Sequence, residues 1–219
     1  MRKSRVGAFT LIELLIVIAI IAILALIAIP NFLEAQTRAK VGRAKSDQRS
    51  LATAIESYTV DYRRCPFSNQ EAKNAGATQD VPGQRLYPLT TPIAYMTSIP
   101  GDPFIDKSKL QKNSTMIAYS YSTSVGFAAF APTSGPYHDL SSCFRRGYLW
   151  SLSSFGPTRQ DTSPTGTKFS VLDMLAGEPS QGVWIYDPTN GTVSFGAIIR
   201  TNKGDVTGFD LSGAFEQYQ

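Results

Sequence analysis

The hydrophobic pattern of the chain begins with an apolar run, residues 14–29, that contains only Leu, Ile, Val and Ala. Extended back to Phe9, the segment has 21 residues, enough for a helix of ~30 Å that crosses the hydrocarbon core of a bilayer. One carboxylate, Glu13, lies near the start of this segment. Burying a charge in lipid costs at least ~2.5–3.5 kcal/mol, so an acidic residue inside a predicted span indicates a functional site.

A helical pattern continues beyond the apolar run. Residues 41–62 place apolar side chains three or four positions apart, with Gln48 at the one polar position of that face. This spacing predicts an amphipathic helix that packs on a sheet. Pro30 lies inside the continuous pattern, and we expect a kink or a local loss of helix there. Proline removes one backbone hydrogen bond, and its ring clashes with the carbonyl four residues back.

The end of the helix is predicted at Cys65, because a residue that precedes a proline, here Pro66, disfavours helical angles. The helix therefore has two predicted parts. Residues 9–30 form a transmembrane and assembly helix, and residues 31–65 form its amphipathic extension.

Residues 66–219 carry short β-type runs that are separated by Gly, Pro, Ser and Thr, which predicts a β-rich globular domain. The segment "YDPTNG", residues 186–191, has the chemistry of a hairpin turn. The predicted fold class is therefore α+β, with the long helix packed on a small antiparallel sheet. The strand candidates are residues 117–121, 126–130, 147–155, 168–172, 183–186 and 192–200.

The basic charge of the chain is concentrated at its N-terminal end. Residues 1–49 hold eight Lys and Arg against three acidic residues, whereas the remainder has 13 basic and 14 acidic residues. The high isoelectric point thus reflects the N-terminal arm, and no nucleic-acid surface is expected. The basic run at residues 38–49 is interpreted either as a solvated helix face or as a docking stripe.

Catalytic chemistry has little support in the sequence. His138 is the only histidine, which excludes a site with several histidine ligands. Cys143 and His138 could form a nucleophile–base pair, but both lie in a segment rich in Ser, Gly and Pro where a chance proximity is the simpler interpretation. The chain also contains no G-x-S-x-G and no P-loop. We therefore predict a protein that is not an enzyme.

The apolar segment has three interpretations. An ordinary signal peptide has a shorter apolar core, of ~7–15 residues, followed by a small-residue cleavage site. Here the core is longer, and the small pair Gly7 and Ala8 precedes it. A plain signal anchor fits the length but leaves Glu13 unexplained, which favours the third interpretation, a prepilin leader.

The residues that carry this third interpretation are "GAFTLIELL", residues 7–15. They resemble the processing motif of type IV pilins and type II secretion pseudopilins. The resemblance implies that a prepilin peptidase removes the leader, residues 1–8, and methylates the new N-terminal residue. Cleavage between Ala8 and Phe9 would make Glu13 the fifth mature residue and Pro30 the twenty-second, which is the register of the family. The family usually has Gly directly before the Phe, whereas this chain has Ala8.

The resemblance also implies a role for Glu13. In the family, this carboxylate faces the N-terminal amine of a neighbouring subunit, here that of Phe9. The pair would select one axial offset between helices whose apolar surfaces supply the adhesion. An amine and a carboxylate are each costly alone in a core without water and tolerable together. The alternative is a carboxylate that reaches the lipid headgroups from the helix end.

Three further segments look like the major pseudopilin of type II secretion systems, namely residues 30–66, "SIPGDPF" and "WSLSSFGPTRQD". Such proteins form a homopolymer together with minor pseudopilins, on an inner-membrane assembly platform driven by a separate ATPase. They also bind calcium in loops near the last strands. Thr158 replaces the usual Asp after Gly156 and Pro157, so Asp161 is only a weak candidate ligand and no metal is assigned.

The leader charges predict the topology. Arg2, Lys3 and Arg5 precede the span, so the N-terminus is expected in the cytoplasm and the globular domain in the periplasm, on a single-pass inner-membrane protein. In that compartment Cys65 and Cys143 are candidates for a disulfide. Two separate buried thiols are the alternative, because the bond requires the two Cα atoms to lie within ~7 Å.

Three functions remain open on this basis. The first is a pseudopilin subunit of a pilus-like filament of a type II secretion system. The second is a surface type IV pilin used for adhesion, motility or DNA uptake. The third is an extracytoplasmic binding domain held by a signal anchor, which would not depend on prepilin peptidase.

Overall fold

The structure is a computed structural model that describes residues 10–67, 85–105, 119–123, 147–157, 185–187 and 196–206. Its elements are helix α1 (Leu11–Tyr62), a 3₁₀ helix (Tyr87–Leu89), and strands β1 (Ser120–Thr123), β2 (Trp150–Ser154), β3 (Ile198–Thr201) and β4 (Gly204–Val206). The chain divides into two units, Met1–Ala39 and Lys40–Gln219. A long N-terminal helix and an antiparallel sheet confirm the predicted α+β class.

The part of α1 in the first unit has an apolar and exposed surface. Every large apolar side chain from Leu11 to Leu33 is exposed. Within the described residues, α1 is the one helix that is long and apolar enough to cross a membrane. Pro30 lies inside α1, with helical residues on both sides, and the kink expected at this position stays a prediction.

The end of α1 is set by its backbone conformation. The helix stops at Tyr62, and the next residue, Arg63, has φ 53°. That left-handed conformation commonly closes a helix, because it turns the chain away from the helical hydrogen-bonding pattern. The stop precedes Cys65, where the sequence predicted the boundary.

In the second unit, α1 buries one face, as its spacing predicts. Five of the six expected apolar positions are buried, and Gln48 is fully buried among them. Each fully buried Leu or Ile side chain contributes ~1.5–3 kcal/mol relative to its exposed state. The sixth position, Tyr62, is 40% exposed and stacks on Tyr58 with 4.4 Å between ring centroids. The five confirmed positions are Val41, Ala44, Leu51, Ile55 and Tyr58.

Three polar contacts join α1 to the β part of the second unit. Gln48 Nε2 donates to the Ile198 carbonyl oxygen at 2.8 Å, and Trp150 Nε1 donates to a Glu56 carboxylate oxygen at 3.0 Å. The third contact runs from the Tyr119 hydroxyl to Asp47 Oδ2, also at 3.0 Å. Burial raises the pKa of Tyr119, so this hydroxyl remains a donor at neutral pH.

The sheet has the order β1-β2-β3-β4, and each neighbouring pair is antiparallel. Strand β2 lies inside the predicted strand at residues 147–155, and β1 and β3 overlap the predictions at 117–121 and 192–200. In the described part of the candidate at 183–186, Ile185 forms an isolated bridge to Ala197. The candidates at 126–130 and 168–172 lie outside the described residues, as does most of the predicted turn at 186–191.

A buried carboxylate joins the loop before the sheet to the end of β2. Asp102 Oδ1 accepts the Phe104 amide and Oδ2 accepts the Phe155 amide, each at 2.9 Å. Burial raises the pKa of Asp102, while the amides of Phe104 and Phe155 act in the opposite direction. The hydrogen bond to Asp102 therefore holds the backbone at Phe155, where the chain leaves β2.

Gly156 follows Phe155 in this loop, and a substitution at Gly156 tests how closely the loop packs against Gly196. Its φ is +70°, and an added Cβ would lie 2.0 Å from the Gly196 carbonyl oxygen. We expect Gly156→Ala to lower the free energy of unfolding of the second unit by at least ~1–3 kcal/mol. The backbone strain at this positive φ and the steric overlap of the new Cβ with Gly196 both destabilise the folded state. Urea unfolding of the full chain in detergent, followed by tryptophan fluorescence, measures this change.

Gly42→Ala is the matched control for this substitution. Gly42 lies in α1, and an added Cβ there would have no neighbour within 4 Å. Alanine at this helical position should raise stability by ~0.5–1 kcal/mol. An unchanged unfolding midpoint for Gly156→Ala would contradict the close approach of the two glycine backbones.

Candidate functional site

The carboxylate of Glu13 takes part in a reciprocal cap at the start of α1. The Thr10 backbone amide and the Thr10 hydroxyl both donate to Glu13 Oε2, at 2.9 Å and 2.8 Å. In return, the Glu13 amide donates to Thr10 Oγ1 at 3.3 Å. This arrangement is a capping box, in which each side chain satisfies a backbone donor that the first helical turn leaves open.

The cap leaves one carboxylate oxygen available. Within the described residues, all hydrogen bonds to the Glu13 carboxylate end on Oε2. Oε1 can therefore accept a hydrogen bond from a donor outside this helix without breaking the cap. The capping contacts also fix the direction in which Oε1 points, because they hold the side chain in one geometry.

Among the residues that the structure describes, no positive charge lies near Glu13. Its neighbours Leu11, Ile12 and Leu14 are apolar and exposed, and the sequence contains no Lys or Arg between Thr10 and Thr37. When an apolar surface of this kind is covered by lipid or by other helices, an ionised carboxylate needs a cation partner. That partner has to come from outside the first turns of α1.

Thr10 was not among the residues that the sequence analysis selected. Its signal is nevertheless present in the sequence, because Thr10-Leu11-Ile12-Glu13 matches the capping-box pattern of Ser or Thr followed three residues later by Glu. The capping role and the predicted pairing role of Glu13 are compatible, since they use different carboxylate oxygens.

Four of the predicted site residues lie outside the described residues: Ala8, Phe9, Cys143 and Asp161. The cleavage site, the methylated amine, the disulfide and the calcium ligand therefore stay predictions. The described residues contain no group of three or more His, Cys, Asp and Glu that could hold a metal ion.

Cys65, the described member of the predicted disulfide, lies just after α1. It is partly buried and packs against the hydrophobic core. Its sulfur lies 3.8 Å from the Thr59 hydroxyl oxygen, which donates to it. Of the predicted site residues, Glu13, Pro30 and Cys65 thus lie within the described part of the chain.

The cap predicts a difference between two substitutions of Thr10. Thr10→Ala removes the hydroxyl that both donates to and accepts from Glu13, and it should destabilise the first turn of α1 by ~0.5–2 kcal/mol. Thr10→Ser retains the hydroxyl and should keep the cap. Amide hydrogen exchange of residues 11–14, measured on the full chain in detergent micelles, reports the opening of this turn. Equal exchange rates in Thr10→Ala and the wild type would show that the cap does not form.

Comparison with known proteins places this site in a family. Residues 3–29 match the model of the prokaryotic N-terminal methylation motif. The type IV major pilin protein PilA of Myxococcus xanthus (strain DK1622) is 53% identical over 75 residues, which cover 32% of this chain and 34% of that protein. No solved structure matches the chain.

Two type II secretion system core G proteins match over a longer part of the chain. The protein of Klebsiella michiganensis is 31% identical over 105 residues, covering 48% of this chain and 72% of the relative. The protein of Pectobacterium carotovorum subsp. carotovorum is 34% identical over 101 residues, covering 46% of this chain and 63% of the relative. The chain thus spans about a third of PilA and close to two thirds of the Pectobacterium protein. The chain belongs to the family of type IV pilins and type II secretion pseudopilins that includes core protein G.

Proposed function

We propose that this protein is a structural pseudopilin subunit, which assembles into the pilus-like filament of a type II secretion system after processing by prepilin peptidase. The observation that carries this proposal is the first part of α1, an uncovered apolar helix with one carboxylate held in its first turn. Such a surface has to be covered by lipid or by other helices, because its side chains bury nothing in the chain itself.

Leader cleavage would supply the missing cation. Cleavage between Ala8 and Phe9 creates an α-amine whose unperturbed pKa is about 7.7–8.0, so it is largely protonated at neutral pH. Methylation keeps the charge. The peptide bond between Phe9 and Thr10 remains intact, so the Thr10 amide can still donate to Glu13 Oε2. Processing therefore adds an external donor for Oε1 of a neighbouring subunit and leaves the cap in place.

The membrane would hold the subunit before assembly. The basic residues Arg2, Lys3 and Arg5 favour a cytoplasmic N-terminus, which places the second unit in the periplasm. The partners in this proposal are other copies of the chain, minor pseudopilins, prepilin peptidase and an inner-membrane platform with a separate ATPase. No nucleic acid and no catalytic activity form part of the proposal, in keeping with the structural role of the pilin and pseudopilin relatives.

A type IV pilin is the second candidate function. The 53% identity to PilA over 75 residues favours it, since this stretch is more similar than the matched stretches of the core G proteins. The two functions differ in where the filament ends: a pilin produces filaments on the cell surface, whereas a pseudopilin filament remains within the envelope. Electron microscopy of wild-type cells, with antibody against the second unit, separates them.

The identity of the mature N-terminal residue tests whether the chain is processed as a prepilin. We expect the mature protein to begin with N-methyl-phenylalanine at Phe9, because this cleavage puts Glu13 and Pro30 in the family register. Mass spectrometry of the protein purified from membranes measures the N-terminal peptide. A mature chain that begins at Met1 or at Ala8 would contradict the proposed processing.

Glu13→Gln tests the charge partner of the amine. Glutamine retains a carbonyl oxygen for the cap but removes the negative charge, so membrane insertion should be retained and filament yield should fall at least tenfold, equivalent to ~1.4 kcal/mol or more per contact. Sheared filament fractions and membrane fractions, compared by immunoblot, measure both quantities.

Glu34→Gln provides a control with the same chemical change. Glu34 lies on an exposed part of α1 and pairs with Arg38 one helical turn away, and surface pairs of this kind contribute little. Filament yield in this variant should match the wild type. Equal yields in all three proteins would remove the register role of Glu13.

A further inference from the structure

Two buried polar atoms at the interface between α1 and β3 have no hydrogen-bond partner among the described residues. The first is Oε1 of Gln48 in α1, and the second is Nε of Arg200 in β3. Gln48 is fully buried. The Arg200 side chain is 21% exposed as a whole, but its Nε is buried. Because a buried donor or acceptor without a partner is costly and rare in native proteins, each of these atoms requires a ligand.

The two atoms have complementary hydrogen-bonding roles. Nε2 of Gln48 donates to the Ile198 carbonyl oxygen at 2.8 Å. A carbonyl oxygen can only accept, so this contact fixes which end of the Gln48 amide faces Ile198 and leaves Oε1 as an acceptor. Nε of Arg200 is a donor, because a guanidinium group has no acceptor atom.

Neighbouring contacts bring the two side chains to the same part of the interface. Ile198 belongs to the core that α1 buries, and Arg200 lies two positions further along β3, so both side chains are on the face of the sheet toward α1. Arg49, the residue after Gln48, has its Nη2 3.7 Å from Asp205 Oδ2. Arg200 Nη1 donates to the other oxygen of the same carboxylate. Gln48 is therefore bonded to Ile198, and its neighbour Arg49 is linked through Asp205 to Arg200.

The chemistry of the two atoms selects the kind of ligand. A cation could interact only with the amide oxygen of Gln48, and an anion could interact only with the Nε–H group of Arg200. A molecule that accepts one hydrogen bond and donates another satisfies both atoms, and water is the smallest molecule of this kind. Buried waters in proteins typically bond to polar groups that the fold itself leaves without partners.

We propose that a water molecule binds between α1 and β3, where it accepts a hydrogen bond from Arg200 Nε and donates one to Gln48 Oε1. Both ends of the Gln48 amide are then bonded to β3, one directly at Ile198 and one through water. The amide cannot turn over without losing both bonds. This water site belongs to the second unit, and it requires neither a membrane span nor leader cleavage nor filament assembly.

Nuclear magnetic resonance of the full chain in deuterated detergent micelles tests the site. The Nε–H proton of Arg200 gives a nitrogen-correlated signal, which the variant Arg200→Lys identifies by its loss. In the wild type we expect a nuclear Overhauser effect between this proton and water. Its sign should be opposite in the laboratory and rotating frames, because a water that is held in the protein tumbles with it. The same sign in both frames would report proton exchange with solvent and would overturn the proposal.

Two glutamine variants provide the comparison. Gln48→Met removes the acceptor and should abolish the Overhauser effect between Arg200 and water. Gln36→Met makes the same chemical change at an exposed position of α1 and should leave the effect unchanged. Full strength of the effect in Gln48→Met would overturn the proposal. Absence of the effect in the wild type would overturn it as well, and that result does not depend on the folding of any variant.

Discussion

An ionised carboxylate on an apolar surface has two separate requirements, hydrogen bonds and an opposite charge, and the start of α1 meets only the first. Thr10 supplies the hydrogen bonds through its amide and hydroxyl, both to Oε2 of Glu13. No basic residue follows until Arg38, so the chain cannot provide the charge from the helix itself. The described part of the chain thus caps this carboxylate but gives it no opposite charge. In the proposed filament, the N-terminal amine of another copy would supply that charge.

The second unit shows a different solution to the problem of polar groups on a buried helix face. Gln48 is fully buried, and its side-chain amide donates to the Ile198 carbonyl oxygen across the interface with β3. Glu56 and Asp47 lie near the margins of the same face and accept hydrogen bonds from Trp150 and Tyr119. Apolar contacts supply most of the stabilisation, whereas these directional bonds restrict how far α1 can slide along the sheet.

The sequence was informative where local periodicity determines the structure. The spacing of Val41, Ala44, Leu51, Ile55 and Tyr58 predicted the buried face of α1, and all five are buried. Periodicity also placed β2 within its predicted range. At the end of the face the prediction was wrong for Tyr62, because the helix stops there and the ring stacks on Tyr58 instead of entering the core.

Features that depend on distant residues or on very short elements could not be predicted in the same way. The acceptor for Gln48 lies 150 positions away in the chain, so only the burial of its side chain could be inferred. Strand β4 has three residues, Gly204–Val206, which are too few to show an alternation of apolar and polar side chains. The cap is a different case, because its Thr-x-x-Glu pattern is local and could have been recognised.

Two kinds of interaction are needed to build an ordered filament from such helices, and they cannot replace each other. A surface of Leu, Ile, Val and Ala packs with similar free energy at many axial offsets, since dispersion and burial depend on area more than on direction. A buried ion pair contributes little net stability, but an unpaired buried charge is strongly unfavourable. In the proposed filament, one carboxylate per helix, held by Thr10, would penalise every offset except the one that brings an amine to Oε1. Apolar contacts would then hold the helices together, and the single charge would decide their register.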